Sequence, residues 1–399
     1  MLALDRIYHA AYVLKGVARK TDLIAAPHLV SGMEDLYLKT ENLQVTGSFK
    51  LRGASYKISQ LPKGDLERGI IACSAGNHAQ GVALAATHMG VRSIVCMPDG
   101  APIMKVESTR RLGAEVRLVK GSYDDAHDEA VRLQEKTGAT LIHPYDDEDV
   151  ICGQGTIGLE IMDQLEGVDA VVVPVGGGGL ISGVACAVKS LKPSCQVFGV
   201  QAAGASAMAE SFRRGDWYAS DTASTFADGI AVKNPGEITF QMVGKYVDDI
   251  VTVSDDEIAA AILNLMERQK VVAEGAGAVP VAAAMFDKLP LAGKRVVCVV
   301  SGGNIDVNIL SRVINRGLAM SGRKVTMEIR LTDKPGQLQQ VSTIIAELGA
   351  NVVSVDYDLS DPDLPISSCT LRVGMETRDQ AQIDQIRAKL VGEGFALVG

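Results

Sequence analysis

A lysine at position 50 sits just after a Gly-Ser turn, in Thr46-Gly47-Ser48-Phe49-Lys50-Leu51-Arg52-Gly53-Ala54. Leu51, Ala54 and Ile58 recur at helical spacing and share one apolar face. An amine beside that face, with Phe49 as its neighbour, loses hydration, which favours its neutral form. A neutral amine can attack a carbonyl and form a Schiff base. Taken alone, the stretch reads better as a surface lysine whose stem lies along the helix. Three distant stretches change that balance.

The run Gly176-Gly177-Gly178-Gly179-Leu180 lies between a buried strand candidate and a helix. Glycines there let backbone approach a ligand, and free amides at a helix start favour an anion, most often phosphate. A single tight turn would not need four glycines. The G-x-G-x-x-G spacing of a dinucleotide site and the Gly-Lys-Ser/Thr of a P-loop are both missing. Ser74-Ala75-Gly76-Asn77-His78 is another strand-to-helix turn. Its amides and the Ser74 hydroxyl could hold a carboxylate, and Asn77 could bond a ring substituent. Helix capping by Ser74 explains the stretch equally well in isolation. His78 could serve as a base, but with no acid or serine partner in sight it reads better as a structural histidine. Ser301-Gly302-Gly303-Asn304 again follows a strand, where ligands bind in open α/β sheets. There Ser301 would set a neutral hydroxyl against a ring nitrogen. The four stretches together describe an aldehyde-binding amine, a phosphate cradle, a carboxylate-binding turn and a neutral heterocycle partner. That set fits pyridoxal 5'-phosphate and an amino acid.

The elements that must position these residues follow from the apolar pattern. Short apolar strands near 37–39, 69–73, 93–97, 115–119 and 140–142 alternate with helices, including one rich in alanine from 79 to 89. The alternation resumes after Gly153, with a helix at about 155–165, strands at 170–175, 196–200 and 295–300, and helices between and after them. Residues 201–250 are less periodic and are expected to wrap around the site. This is the pattern of parallel sheets with right-handed crossovers. At Ser321-Gly322-Arg323-Lys324 it breaks, and the remainder reads βαββαβ, a ferredoxin-like order with an antiparallel sheet. The expected fold is therefore α/β, with two open, mostly parallel sheets and a small C-terminal module. A catalytic region 1–320 divides into a small subdomain at about 48–150 and a large one made of 1–47 and 151–320. Residues 321–399 form the third unit.

Composition narrows the function classes. The net charge is -9, and no dense Lys/Arg run is present, which argues against nucleic acid or an anionic membrane as partner. The seven cysteines form no C-x-x-C pair and lie mostly in apolar runs, so they read as reduced core thiols of a cytoplasmic protein. Neither a signal peptide nor a membrane span is expected.

On these motifs, residues 1 to about 319 resemble the threonine dehydratases (threonine ammonia-lyases) of the tryptophan-synthase-β group of pyridoxal phosphate enzymes, fold type II. The resemblance is carried by Ser48-Phe49-Lys50-Leu51-Arg52-Gly53-Ala54, Ser74-Ala75-Gly76-Asn77-His78-Ala79-Gln80-Gly81, Gly176 to Leu180 and Ser301 to Asn304. It implies that Lys50 forms the Schiff base and Phe49 flanks the ring. It further implies that Asn77 bonds the phenolic oxygen, Gly176 to Leu180 hold the phosphate and Ser301 meets the ring nitrogen. The turn Ser74, Ala75, Gly76, Asn77 and His78 would bind substrate. The implied reaction takes L-threonine, and L-serine, to a 2-oxo acid and ammonia. Serine racemases share the motifs but carry a serine at the position of Ala75, as an acid-base group. Alanine there points to a dehydratase rather than a racemase or a β-replacing synthase. A reading of another class is an inactive amino-acid sensor, which the intact Lys50, Asn77 and glycine run argue against. Some relatives bind a cation at an E-T-I-A-D-G stretch. Here Ser224-Thr225-Phe226-Ala227-Asp228-Gly229 has Ser224 in place of the Glu, and no metal is expected. The last eighty or so residues resemble an ACT domain through Leu331-Thr332-Asp333-Lys334-Pro335-Gly336-Gln337-Leu338. That implies regulation by an amino-acid effector near Asp333, Pro335, Gly336 and Leu338, in a homo-oligomer, dimer or tetramer; a purely structural dimerisation role fits the same turn.

Overall fold

A computed structural model describes residues 3–359 and 365–398. The chain splits into two compact units, residues 1–305 and 306–399. The helix Val307–Met320 groups with the second, although the sequence pattern attaches it to the first. It buries only Val313 and Gly317, so its apolar spacing carries little of the packing that would tie it to a large core.

The strands of the first unit are β1 (Leu23–Ala25), β2 (Leu36–Thr40), β3 (Ile70–Cys73), β4 (Ser93–Pro98), β5 (Glu115–Val119), β6 (Thr140–Leu141), β7 (Ala170–Pro174), β8 (Gln196–Ala202), β9 (Asp249–Val253) and β10 (Val296–Val300). They form two sheets. The larger has the order β1-β2-β10-β7-β8-β9, parallel except for the β1–β2 pair. The smaller has the order β5-β4-β3-β6 and is parallel throughout. Every residue of β3, β7 and β10 is buried. Helices cover both faces of such sheets, so these strands read as unbroken apolar runs without alternation.

The less periodic stretch 201–250 contains two helices, Ala207–Arg214 and Glu237–Tyr246, and runs into β9. The first buries Ala207, Met208, Ala209 and Ser211. The helix expected at about 155–165 is Glu148–Gln164, begun by Asp147, whose side chain caps the amides of Asp149 and Val150. Gly153 and Gly155 look like a break but are contact points. A Cβ on Gly153 would lie 2.6 Å from the Arg52 carbonyl oxygen, and one on Gly155 would lie 2.9 Å from that of Gly183. Glycine lets these helices pack backbone against backbone.

The second unit contains β11 (Lys324–Thr332), β12 (Asn351–Asp358), β13 (Ser368–Glu376) and β14 (Ala396–Val398), with helices Gln337–Glu347 and Gln380–Gly392. Its sheet, in the order β12-β13-β11-β14, is antiparallel at every pairing, the split arrangement expected from βαββαβ order. Ile329, Leu331, Val341, Ile345, Leu371, Val373 and Ile386 form its core.

Candidate active site

The loops after β3, β7 and β10 all leave the C-terminal ends of parallel strands. They meet at one cavity of about 530 Å³. Phe49, Lys50, the turn Ser74 to His78, Gly176 to Leu180 and Ser301 all line it. Every residue of the first unit that the sequence singled out for a role is therefore in one place.

Lys50 opens the helix Lys50–Ser59. The loop before it is stitched to the end of β10: the Phe49 amide donates to the Ser301 carbonyl at 3.1 Å, and Ser48 bridges Gly302. Lys50 Nζ donates to the Pro144 carbonyl at 2.8 Å and lies 5.2 Å from the centre of the Phe49 ring. Burial pushes the amine down to about 8, and the Glu274 charge only partly opposes this. At about 8 the amine stays mostly protonated at pH 7, with about a tenth neutral, far more than an ordinary lysine holds.

The glycine run is shaped by close packing. Gly178 takes a left-handed conformation at φ 98° and caps the helix Gly179–Leu191. A Cβ on Gly177 would come within 2.4 Å of the Tyr145 ring, and one on Gly179 within 2.8 Å of the Tyr145 carbonyl oxygen. Thr239 Oγ1 donates to the Gly177 carbonyl at 2.6 Å and fixes the loop. The first amides of the following helix lack intrahelical partners and carry the positive end of its dipole.

Asn77 starts the helix Asn77–His88. Its Nδ2 donates to Glu274 Oε1 at 2.7 Å, and its Oδ1 accepts from Asn304 Nδ2 at 2.8 Å. Asn304 also donates to the Thr46 carbonyl at 2.8 Å, so three of the four motifs are joined through side chains. The Ser74 hydroxyl accepts from the Gly76 amide at 3.2 Å and stays at the cavity wall. His78 lines the cavity, yet its Nε2 bonds the Ile142 carbonyl at 2.9 Å. Burial, helped by the charge of Lys50, pushes it down to about 3, which keeps it neutral. Its geometry is that of a structural donor. Asp228, the retained acid of the cation-type stretch, pairs with Lys105 at the cavity. No group of three or more His, Cys, Asp or Glu among the described residues could hold a metal ion.

Three contributors escaped the sequence reading: Tyr145, Asn304 as a cross-link, and above all Glu274. Glu274 is 3% exposed and begins an almost wholly apolar stretch, Glu274-Gly275-Ala276-Gly277-Ala278. A lone carboxylate entering an Ala/Gly helix was the available signal, because a charge in such a run is buried at a cost unless it has a task. Burial pushes it up to about 7, reinforced by Asp228 and opposed by Lys105, Asn77 and Lys50.

Fold and cavity together define a class: a two-sheet α/β protein with a buried lysine and a glycine run lining one cavity. Residues 14–302 match the model of the pyridoxal-phosphate dependent enzyme family. An L-threonine ammonia-lyase of Thermotoga maritima is 51% identical over 397 residues, covering 99% of this chain and 98% of that one. Threonine deaminase isoform 2 from Solanum lycopersicum superposes with a TM-score of 0.74 at 38% identity, over 78% of this chain and 86% of that one. Maize serine racemase gives 0.74 at 33% identity, over 80% and 98%. The chain belongs to the pyridoxal-phosphate-dependent enzyme family.

The residues present fit that cofactor. The glycine loop leaves no room for a Cβ at Gly177 or Gly179, so the cavity wall there is bare backbone at the start of a helix. Lys50, Asn77 and Ser301 border the same space and supply the amine and the polar groups a substituted pyridine aldehyde requires. Among the described residues, no helix is long and apolar enough to cross a membrane.

Proposed function

We propose that the protein converts L-threonine, and L-serine, to 2-oxobutanoate or pyruvate with release of ammonia. The observation that carries this reading is the convergence of Lys50, the glycine loop, Asn77 and Ser301 on one cavity, in a chain so close to a threonine ammonia-lyase. When bound, pyridoxal phosphate supplies an aldehyde that exchanges amines and a conjugated ring that accepts the electrons released at Cα. Lys50 would carry the cofactor through its amine, and as a free amine it would be the base that takes the α-proton of the substrate. Its depressed basicity leaves a neutral fraction to do so. The amides of Gly176 to Gly179 and Leu180 hold the phosphate, and the turn Ser74 to His78 receives the substrate carboxylate. Ser301 would offer a neutral hydroxyl to the ring nitrogen and Asn77 an amide to the phenolic oxygen, with Phe49 beside the ring. Ser301, a neutral hydroxyl where an acid would hold a proton on a heterocycle, would temper the electron-accepting power of the bound group and so favour elimination. Ala75, at the cavity wall, has no proton to give, which supports elimination over racemisation. The test is an assay of the purified protein with L-threonine for 2-oxobutanoate. D-serine in place of keto acid from L-serine would overturn the reading.

We infer further that the second unit is an ACT-type regulatory module. Its turn runs from Asp333, whose amide donates to the Ser367 carbonyl at 2.8 Å, through Pro335 and Gly336 at φ 94° to the partly exposed Leu338. Such a turn offers backbone to a small ligand, here an amino-acid effector, within a cytoplasmic homo-oligomer. Deleting residues 322–399 should leave turnover and abolish any effect of added amino acids; a response that survives the deletion would locate the effector elsewhere.

A further inference from the structure

Glu274 has no part in the chemistry described so far, yet three of the motif stretches close around it. Its Oε1 accepts the 2.7 Å bond from Asn77. The same oxygen would lie 2.3 Å from a Cβ on Gly302 and 3.3 Å from one on Gly229, so glycine at both positions makes room for the carboxyl. Its backbone amide donates to the Gly302 carbonyl at 3.0 Å, which ties the residue to the end of β10 beside Ser301. It lines the cavity together with Lys50. The segment reaching it departs from regular structure: Leu265–Gln269 is a π-turn, and Lys270 follows at φ 59°. Irregular turns of this kind are frequent where a side chain must be re-aimed at a functional site.

We propose that Glu274 is a positioning residue for the reaction: its carboxyl orients the Asn77 carboxamide and, when ionised, stabilises a proton on the Lys50 nitrogen. Other charges facing it are Lys105 and Asp228, a mutually paired couple of opposite sign whose effects on Glu274 oppose each other. Among the described residues, Lys50 has its bond to the Pro144 carbonyl and the Glu274 charge to favour its protonated form, and no ion pair. The chemical consequence is that the two protonation states are linked: Glu274 as carboxylate favours the protonated amine, and Glu274 as acid favours the free base that abstracts the α-proton.

The inference rests on Lys50 as the cofactor-bearing residue, so its test is read against wild type. In the holoenzyme, the visible absorbance of the bound cofactor is titrated with pH for wild type and Glu274→Gln. Gln keeps a carbonyl acceptor for Asn77 and removes the charge. The midpoint should fall by about one pH unit, the effect of losing one nearby opposite charge, and the matching limb of kcat/KM should move with it. Glu274→Asp, which keeps the charge, should titrate close to wild type; this variant keeps the comparison decisive if Gln folds poorly, because a midpoint shifted as far with Asp as with Glu274→Ala would overturn the charge role. A purely structural residue would lower turnover or cofactor affinity without moving the midpoint. Superimposable titrations of wild type and Glu274→Gln would overturn the proposal while leaving the lyase reading intact. A wild-type holoenzyme with no visible band or no turnover would overturn both.

Discussion

Two cations two residues apart on one helix are treated in opposite ways. Arg52 is 2% exposed and fully partnered. Its Nε and Nη2 donate to Glu41 at 2.8 Å each, and Nη1 donates to Glu160 at 2.6 Å and Thr156 at 3.1 Å. Glu160 in turn accepts from buried Lys39 at 2.6 Å, and Glu41 from Thr21 at 2.5 Å. Burial opposes the charge on Arg52, and Glu41 and Glu160 together outweigh it, so the guanidinium stays charged. Lys50 has one carbonyl at hydrogen-bond distance and a single carboxyl acting on it, and burial prevails. The difference separates charge used for architecture from charge left reactive. Two cations and two carboxylates close the Arg52 cluster with their hydrogen bonds satisfied, which fixes the helix that presents Lys50. The cavity beside it leaves its amine and acid partly uncompensated, and groups in that condition are able to exchange protons.

Breaking each side separately tests that division. On the role proposed for Lys50, as both attachment point and base, Lys50→Ala should lower threonine turnover by at least about 10³-fold. The variant should also lack the visible cofactor band, while its urea midpoint without cofactor should stay near that of wild-type apoprotein. Full turnover without Lys50 would end the assignment. Arg52→Met should do the reverse. It strands the wholly buried Glu41 carboxylate, and breaking such a cluster costs roughly 3–5 kcal/mol of stability. Urea denaturation should register that loss; a midpoint unchanged from wild type would mean the cluster is not a structural anchor.

His78 sharpens the comparison because it is a cavity residue with an architectural bond. Its folded-state value, about 3, lies below the ordinary 6.5, so between those values the unfolded chain binds a proton that the folded chain refuses. Its contribution is therefore present above pH 6.5 and is lost as pH falls toward 3. Glu274 works against this, because its raised value makes the folded form bind the extra proton between pH 4.5 and about 7. Comparing His78→Asn with wild type isolates the histidine. The variant should lose less stability than wild type between pH 6.5 and 5, by on the order of 1 kcal/mol. Parallel stability curves would show that His78 is not held neutral.

The division between the two regions also explains what the sequence could reveal. Asn77, the glycine run and Ser301 stood out in the sequence because each follows a strand directly, and Lys50 because it opens a helix just after a Gly-Ser turn. The parallel sheets were legible because β7 and β10 are unbroken apolar runs. Other features depend on long-range contact, which spacing does not encode. Glu274 meets Asn77 across 197 positions, and Arg52 meets Glu160 across 108. The start of the helix Glu148–Gln164 was obscured because Gly153 and Gly155 signal a break in sequence but a close packing in space. At three residues, β1 is too short to show an alternating pattern.

The pair Lys105–Asp228 supplies the smallest test and an intermediate case. It borders the cavity like Lys50, yet it is mutually compensated like the Arg52 cluster. The Asp228 side chain is 59% exposed, so water screens the attraction that burial would strengthen. Lys105→Gln should therefore change stability by no more than about 1 kcal/mol. The remaining Asp228 charge, no longer offset, should raise the Glu274 carboxyl further, because Asp228 pushes it up and Lys105 holds it down. Urea denaturation gives the first quantity, and the pH dependence of the cofactor band gives the second. A large stability loss with no spectral change would move the pair to the architectural side; a small loss with a shifted titration would make it part of the reactive one.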